Sequence, residues 1–182
     1  MTMSLPPESV LKGWSSGKVQ RMHALPTLRH QSLAEHQWGV AYLMLALFPD
    51  CPASLLKAAM THDMGEYAAG DIPAPVLWGN PELVKSVEKL ETDFREAVLV
   101  TDEYQNLSEE EKKLLEVFDR LEFCLTCRRE KAMGNTLLSS AFSRSKGRLV
   151  ALVKDLTNSE HAAVCERVLA FISSKEFLNV CE

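Results

Sequence analysis

Met60-Thr61-His62-Asp63-Met64-Gly65-Glu66 sets two metal-competent side chains next to each other where an apolar helical pattern stops. Leu55, Leu56, Ala59 and Met60, following Pro52, predict a helix from about Pro52 to Asp63 with the His-Asp pair on its last turn. Consecutive helical residues point about 100° apart, so the pair can share one ion only near a helix end. Gly65 is expected to supply that end. One helix upstream, Ser32 and Glu35 have capping-box spacing, and the helix they open runs to Phe48 with His36 in its first turn. Downstream, Ser108 and Glu111 repeat the spacing, opening a helix to Met133 that Gly134 stops. Asp119 lies in the middle of that helix, within the apolar frame Leu114, Leu115, Val117, Phe118 and Leu121.

The rest of the chain reads the same way. Pro6-Pro7-Glu8 opens a short helix to about Trp14, Asn80-Pro81-Glu82 one to about Thr101, and two more run from Thr136 to Leu156 and from Ser159 to Ser173. Between them, residues preceding proline avoid helical angles, so Asp71-Ile72-Pro73-Ala74-Pro75 should form an extended, stiff loop. No alternating strand pattern or internal repeat interrupts this, and the fold class expected is an all-α bundle forming one domain over residues 1–182.

Two imidazoles and two carboxylates, His36, His62, Asp63 and Asp119, make a donor set for one divalent metal, with coordination positions left open for water and substrate. Cobalt, manganese, zinc, iron, nickel and magnesium all suit it in varying degree. Taken singly, His36 reads as an ordinary half-buried histidine and Asp119 as a partner of Arg120 or Lys112; the constellation is what points to a metal. Such an ion lowers the pKa of its water toward about 7, and the chain then needs groups to aim that water and protonate a leaving oxygen. Glu66, four residues after His62, falls on the same helical face and is the candidate general acid/base. Asp71 on the proline-stiffened loop is the second candidate.

At 182 residues the chain can bury a core without staples, so a metal would be functional rather than structural. Twenty Lys and Arg against 25 Asp and Glu give a net charge of -5, which disfavours nucleic acid and anionic membranes as partners and leaves a small molecule. No apolar stretch is long enough to span a bilayer. Cys51, Cys124, Cys127, Cys165 and Cys181 are an odd, scattered set, expected to be reduced in a cytoplasmic protein. From Ser9 to Ala34 there is no acid, while Lys12, Lys18, Arg21 and Arg29 fall there with His23 and His30. A positive segment beside an acidic metal cluster suits a phosphorylated substrate.

At these residues the chain resembles the HD-domain metal-dependent phosphohydrolases, and within them the YfbR-like 5'-deoxyribonucleotidase family. The resemblance covers roughly positions 18 to 135 and is most specific in Ala34-Glu35-His36, His62-Asp63-Met64-Gly65-Glu66 and Gly70-Asp71-Ile72-Pro73-Ala74-Pro75, followed by Asp119. It implies metal ligation by His36, His62, Asp63 and Asp119, catalytic roles for Glu66 and Asp71, and a phosphate-binding arginine at Arg21, fifteen residues before His36. Lys18 and Arg29 are further phosphate candidates, and Met22 and Pro75 are expected to wall the base and sugar. Met22 stands where cellular members carry a tryptophan, and a thioether stacks on a base less rigidly. His23, Pro26 and Gln31 look more like compact phage members, some of which strip triphosphate from deoxynucleoside triphosphates such as dATP.

The expected substrate is therefore a 2'-deoxyribonucleotide, leaning to a triphosphate cleaved to deoxynucleoside and triphosphate. The alternative is a 5'-deoxyribonucleotidase acting on the monophosphate. A nucleotide phosphodiesterase and a non-catalytic nucleotide-binding regulator are the rivals. Family resemblance also suggests a homo-oligomer, and the apolar positions of the last two helices are expected either to pack on the core or to supply its contact, which periodicity alone does not separate.

Overall fold

The computed structural model describes residues 5–156 and 160–178; Ser159 and Cys181, named above, lie outside the described residues. Pro7 occupies the first turn of α1 (Pro7–Ser16), where its missing N–H is not needed. A two-residue antiparallel ribbon follows, β1 (Gln20–Arg21) on β2 (Gln31–Ser32), pairing Gln20 with Ser32 and Arg21 with Gln31. Ser32 then caps α2 (Leu33–Leu47): its hydroxyl accepts from the Glu35 N–H at 3.2 Å, and the Glu35 carboxylate accepts from the Ser32 N–H at 2.8 Å. Next come α3 (Ala53–Thr61) and the single-turn α4 (Glu66–Ala69) and α5 (Ala74–Leu77). Asn80 caps α6 (Pro81–Val98) by accepting from the Leu83 N–H, and Asp102 caps α7 (Glu103–Asn106). Ser108 and Glu111 form the second capping box at the head of α8 (Glu109–Ala132), after which α9 (Ser139–Leu156), α10 (Ala162–Ile172) and α11 (Lys175–Leu178) close the described chain.

The apolar core gathers around α8. Leu114, Val117, Phe118 and Leu121 are fully buried against Val40 and Met44 of α2, Leu55 of α3, and Leu149 and Val153 of α9. Val168 and Phe177 extend the same cluster. Burial of this kind, about 1.5–3 kcal/mol for each large side chain, is what holds short helices that would be marginal alone. Among the described residues no helix is long and apolar enough to cross a membrane.

Several elements depart from the sequence expectation. The ribbon was not anticipated, because two residues carry no alternation. Backbone bonds at its root hold it instead, the Leu33 N–H donating to Val19 O at 2.8 Å and the Ala34 N–H to Gly17 O at 3.1 Å. The proline-rich loop is extended only through Pro73; a helical turn starts at Ala74, with Pro75 where no N–H is required. The helix expected to reach Thr101 stops at Val98, and the one expected from Thr136 starts at Ser139. Of the two parts left open for the last long helices, the apolar positions of α9 and α10 take core packing: Leu149, Leu152, Val153, Val164, Cys165 and Val168 are buried. Cys124 and Cys127 are buried free thiols, and burial pushes their pKa values up to about 11 and about 12, unlike a reactive pair.

Candidate metal centre

His36 sits in the first turn of α2, Asp119 at mid-α8, and His62 and Asp63 at the turn that separates α3 from α4. The His62 N–H closes the last turn of α3 on Ala58 O at 2.8 Å, so the pair stands just past the helix end rather than within it. Gly65 has ordinary helical angles, which overturns its expected part in relaxing that end. It is glycine because α6 lies on it: a Cβ there would come within 2.4 Å of the Glu91 Cα. From α6, Arg95 donates to the His62 carbonyl at 3.1 Å and pairs with Asp102 at 2.8 Å, tying the turn to the next layer.

These elements bring His36, His62, Asp63 and Asp119 together, with one ligating atom of each within 4.8 Å of all the others. His36 Nε2 stands 3.1 Å from Asp119 Oδ1 and 3.5 Å from Asp63 Oδ2, and His62 Nε2 is 3.3 Å from Asp63 Oδ2. Both rings are anchored by the opposite nitrogen. His36 Nδ1 meets Glu122 Oε2 at 2.7 Å, and His62 Nδ1 meets the Ala59 carbonyl at 3.0 Å. A carbonyl can only accept, so Nδ1 of His62 carries a proton, and Nε2 is the nitrogen left to face the cluster. Both Nε2 atoms are buried without a hydrogen bond, and they face the two carboxylates across one small space. Orphaned imidazole nitrogens facing carboxylate oxygens are a fitting donor set for a divalent cation.

Charge is balanced tightly around this space. Burial and the Arg21 charge push His36 toward its neutral form, yet the carboxylates of Asp119, Asp63 and Glu122 facing its two nitrogens outweigh them and hold its pKa well above the usual imidazole value. Burial opposes the Asp63 charge too, but His62, Arg21 and His36 prevail and keep its carboxyl well below the ordinary range. Arg21 donates to Asp63 and, at 2.8 Å, to Glu66 Oε1. Glu66 behaves the other way: burial first, then the nearby Asp63 charge, push its pKa up to about 8. Its second oxygen is buried and has no hydrogen bond.

Asp71 stands close by, accepting from the Met22 N–H at 2.6 Å and lying 3.6 Å from His23 Nδ1. Met22 is buried and left-handed, φ 55°, an angle that costs a non-glycine residue about 1 kcal/mol or more. Of the remaining candidates, Lys18 packs 4.6 Å over the Trp14 ring and Arg29 pairs with Glu35 at 3.7 Å, while Pro75 is exposed in α5. His62 and Asp63 also border a cleft of about 650 Å³ lined by Lys85, Lys89, Thr92 and Tyr104, a side of the cluster that includes neither Arg21 nor Glu66.

Sequence reasoning missed the support around the ligands. Glu122 holds His36 and accepts from Gln31 Nε2 at 2.7 Å and Thr126 Oγ1 at 3.0 Å. The signal was there, because Glu122 follows Asp119 by three residues and so shares its helix face. Gly39, mid-helix in α2, leaves room for it: a Cβ would stand 2.8 Å from Glu122 Cγ.

Residues 17–172 match the family described as 5'-deoxynucleotidase YfbR-like. The chain is 29% identical over 156 residues to a 5'-deoxynucleotidase of Yersinia pestis (strain Pestoides F), covering 72% of this chain and 75% of that one. It is 27% identical over 144 residues to a 5'-deoxynucleotidase of Vibrio vulnificus (strain YJ016), covering 64% and 71%. In fold it is similar to the cyanophage S-2L HD phosphohydrolase DatZ, solved bound to dA and one catalytic Zn2+ ion, with a TM-score of 0.66, 20% identity and coverage of 88% and 92%.

Proposed function

This chain belongs to the 5'-deoxynucleotidase YfbR-like family, and from that premise we propose that it is a hydrolase of 2'-deoxyribonucleotides, cleaving the bond between phosphorus and the 5' oxygen. The observation that carries the reading is the convergence of His36, His62, Asp63 and Asp119 on one space, with both Nε2 atoms left without hydrogen bonds. A divalent cation held there supplies Lewis acidity toward a phosphate oxygen and makes a water acidic enough to attack near neutral pH. The Zn2+ of the cyanophage protein makes zinc the first metal to test, ahead of cobalt, manganese, iron, nickel and magnesium.

The chain's own groups account for the rest. Arg21, whose guanidinium Asp63 and Glu66 satisfy, is placed to exchange a carboxylate for substrate phosphate. Glu66, whose pKa burial and the Asp63 charge raise and whose second oxygen has no hydrogen bond, takes the proton of the attacking water and returns one to the departing 5' oxygen. Asp71 orients that oxygen while its other bond fixes Met22, which with Pro75 forms the wall for base and sugar. The P–O5' bond breaks as water oxygen bonds phosphorus, leaving a deoxynucleoside and phosphate.

The monophosphate is the leading substrate, since the relatives reported above are 5'-deoxynucleotidases. The triphosphate, cleaved at the same bond with release of tripolyphosphate, is the second reading, resting on the resemblance of His23, Pro26 and Gln31 to compact phage members of the family. Product analysis with zinc or cobalt tests both. Inorganic phosphate from dAMP supports the first, and intact tripolyphosphate with deoxyadenosine from dATP the second. Equal turnover of the ribonucleotides contradicts both. A cytoplasmic location is proposed as well, in keeping with free thiols at the described cysteines, half-buried Cys51 and buried Cys124, Cys127 and Cys165. Self-association is also proposed, and because the exposed Trp38 and Tyr42 rings stack on each other along α2, that helix is the expected contact. Sedimentation of the wild type and Trp38→Glu chains checks it.

A further inference from the structure

Asp119, Glu122, Thr126 and Glu130 recur at helical spacing along one face of α8, over about 16 Å of helix at 1.5 Å per residue. Asp119 belongs to the metal cluster, and Glu122 with Thr126 serves His36 and Gln31. Glu130 serves neither, although it is 2% exposed. Its two oxygens accept from the Leu28 N–H at 2.7 Å, the Arg29 N–H at 3.1 Å and Asn135 Nδ2 at 2.7 Å. Asn135 Nδ2 also donates to Pro26 O at 2.7 Å. A buried carboxylate costs several kcal/mol unless donors meet it, and here those donors are mostly the backbone of a segment about a hundred residues away.

That segment, residues 22–30, joins the two strands of the ribbon, and both of its roots lie in the candidate site. At one root Arg21 reaches Asp63 and Glu66, and the Met22 N–H binds Asp71. At the other, Gln31 binds Glu122, which holds His36. Glu130 and Asn135 fix the far end of the segment to the same helix that carries Asp119. We propose that Glu130, with Asn135, is a positioning residue for substrate: it holds the 22–30 segment as the wall against which the deoxynucleotide seats, and so sets how substrate binds rather than how the ester is cleaved. This rests on the reading of Arg21 and Met22 as substrate contacts.

Glu130→Gln tests it, because an amide of nearly the same shape turns one acceptor into a donor facing the N–H groups of Leu28, Arg29 or Asn135. The measurements are kcat and KM for dAMP and dATP, zinc-dependent thermal stabilisation, and hydrogen exchange of the Leu28 and Arg29 amides. The expected result is about tenfold higher KM with kcat changed less than about threefold, undiminished stabilisation by zinc, and faster exchange at both amides. Asn135→Ala, a milder change that leaves both Glu130–backbone bonds, should raise KM about threefold and serves if Glu130→Gln does not fold. Wild-type KM in a variant whose two amides exchange faster overturns the proposal, as does a fall in kcat accompanied by loss of zinc stabilisation. A wild-type chain that hydrolyses neither nucleotide sinks the functional reading as well; normal wild-type turnover with unchanged variant KM sinks this inference alone.

Discussion

The two faces of α8 hold the molecule together by different means. Leu114, Phe118 and Leu121 meet α2, α3 and α9 in a seam of interchangeable apolar volume. Asp119, Glu122, Thr126 and Glu130 meet α2 and the ribbon segment through individually specified atoms. Volume lost from the seam is felt as stability, whereas an atom changed on the polar face is felt as a lost position for a ligand or loop. The metal cluster is the extreme case. Its carboxylates and imidazoles are arranged for a cation; without one, Arg21 offsets the Asp63 charge, and the surrounding carboxylates push the His36 imidazole toward its charged form.

The largest separation of the two faces should come from Glu66→Gln. It is expected to retain zinc-dependent stabilisation and lose about a hundredfold to ten-thousandfold in turnover, as removal of a general acid/base does. Single-turnover rates near wild type would remove Glu66 from the chemistry. On the seam, Phe118→Ala should cost about 3–5 kcal/mol in denaturant unfolding while the folded fraction still binds zinc with wild-type stoichiometry. A loss of zinc affinity exceeding the loss of stability would mean the two faces are not separable.

Glu122→Gln sharpens the comparison from the polar side, since it keeps the shape around His36 and removes the carboxylate that holds its Nδ1. Zinc affinity by competition titration should fall about 10–100-fold, with a stability change much smaller than that of Phe118→Ala. Unchanged affinity would show that ring packing alone orients His36.

A smaller effect is expected from pH. The pKa of Glu66 in the cation-free chain is raised from 4.5 to about 8, so its ionised form opposes folding. Its favourable contribution is complete below about pH 4.5 and is lost as pH rises through 8. Cation-free Glu66→Gln should therefore melt above wild type at pH 9 and no higher than wild type at pH 4. Bound zinc should narrow the gap at pH 9, because a cation beside Asp63 favours the Glu66 carboxylate. Parallel melting curves across that range would contradict the assignment.

The fold was legible where local chemistry governs it. The Ser32/Glu35 and Ser108/Glu111 boxes and the Asn80-Pro81 start each sit where the sequence puts them, and the two boxes open the helices that carry His36 and Asp119. What escaped depends on partners distant in sequence. The ribbon is held by Val19 and Gly17 rather than by any alternation of its own. Gly65 is fixed by the backbone of Glu91 and Gly39 by the side chain of Glu122, and neither neighbour is implied by the residues around the glycine. Glu130 looks like an ordinary solvated acid in a highly charged helix until the segment that meets it is in place, whereas Glu122 shares the helix face of Asp119 and could have been read from that spacing. The four proposed ligands stood out because their residue types are unusual together; the groups that hold them are common types made special by tertiary contact.

X-ray absorption on the zinc-loaded chain addresses the central claim most directly. One Zn2+ per chain in a shell of two imidazole nitrogens and light oxygen donors, with loading abolished in His62→Ala and in Asp119→Ala, is the expected result. Thiolate sulfur in the shell, or full loading in either variant, would contradict it.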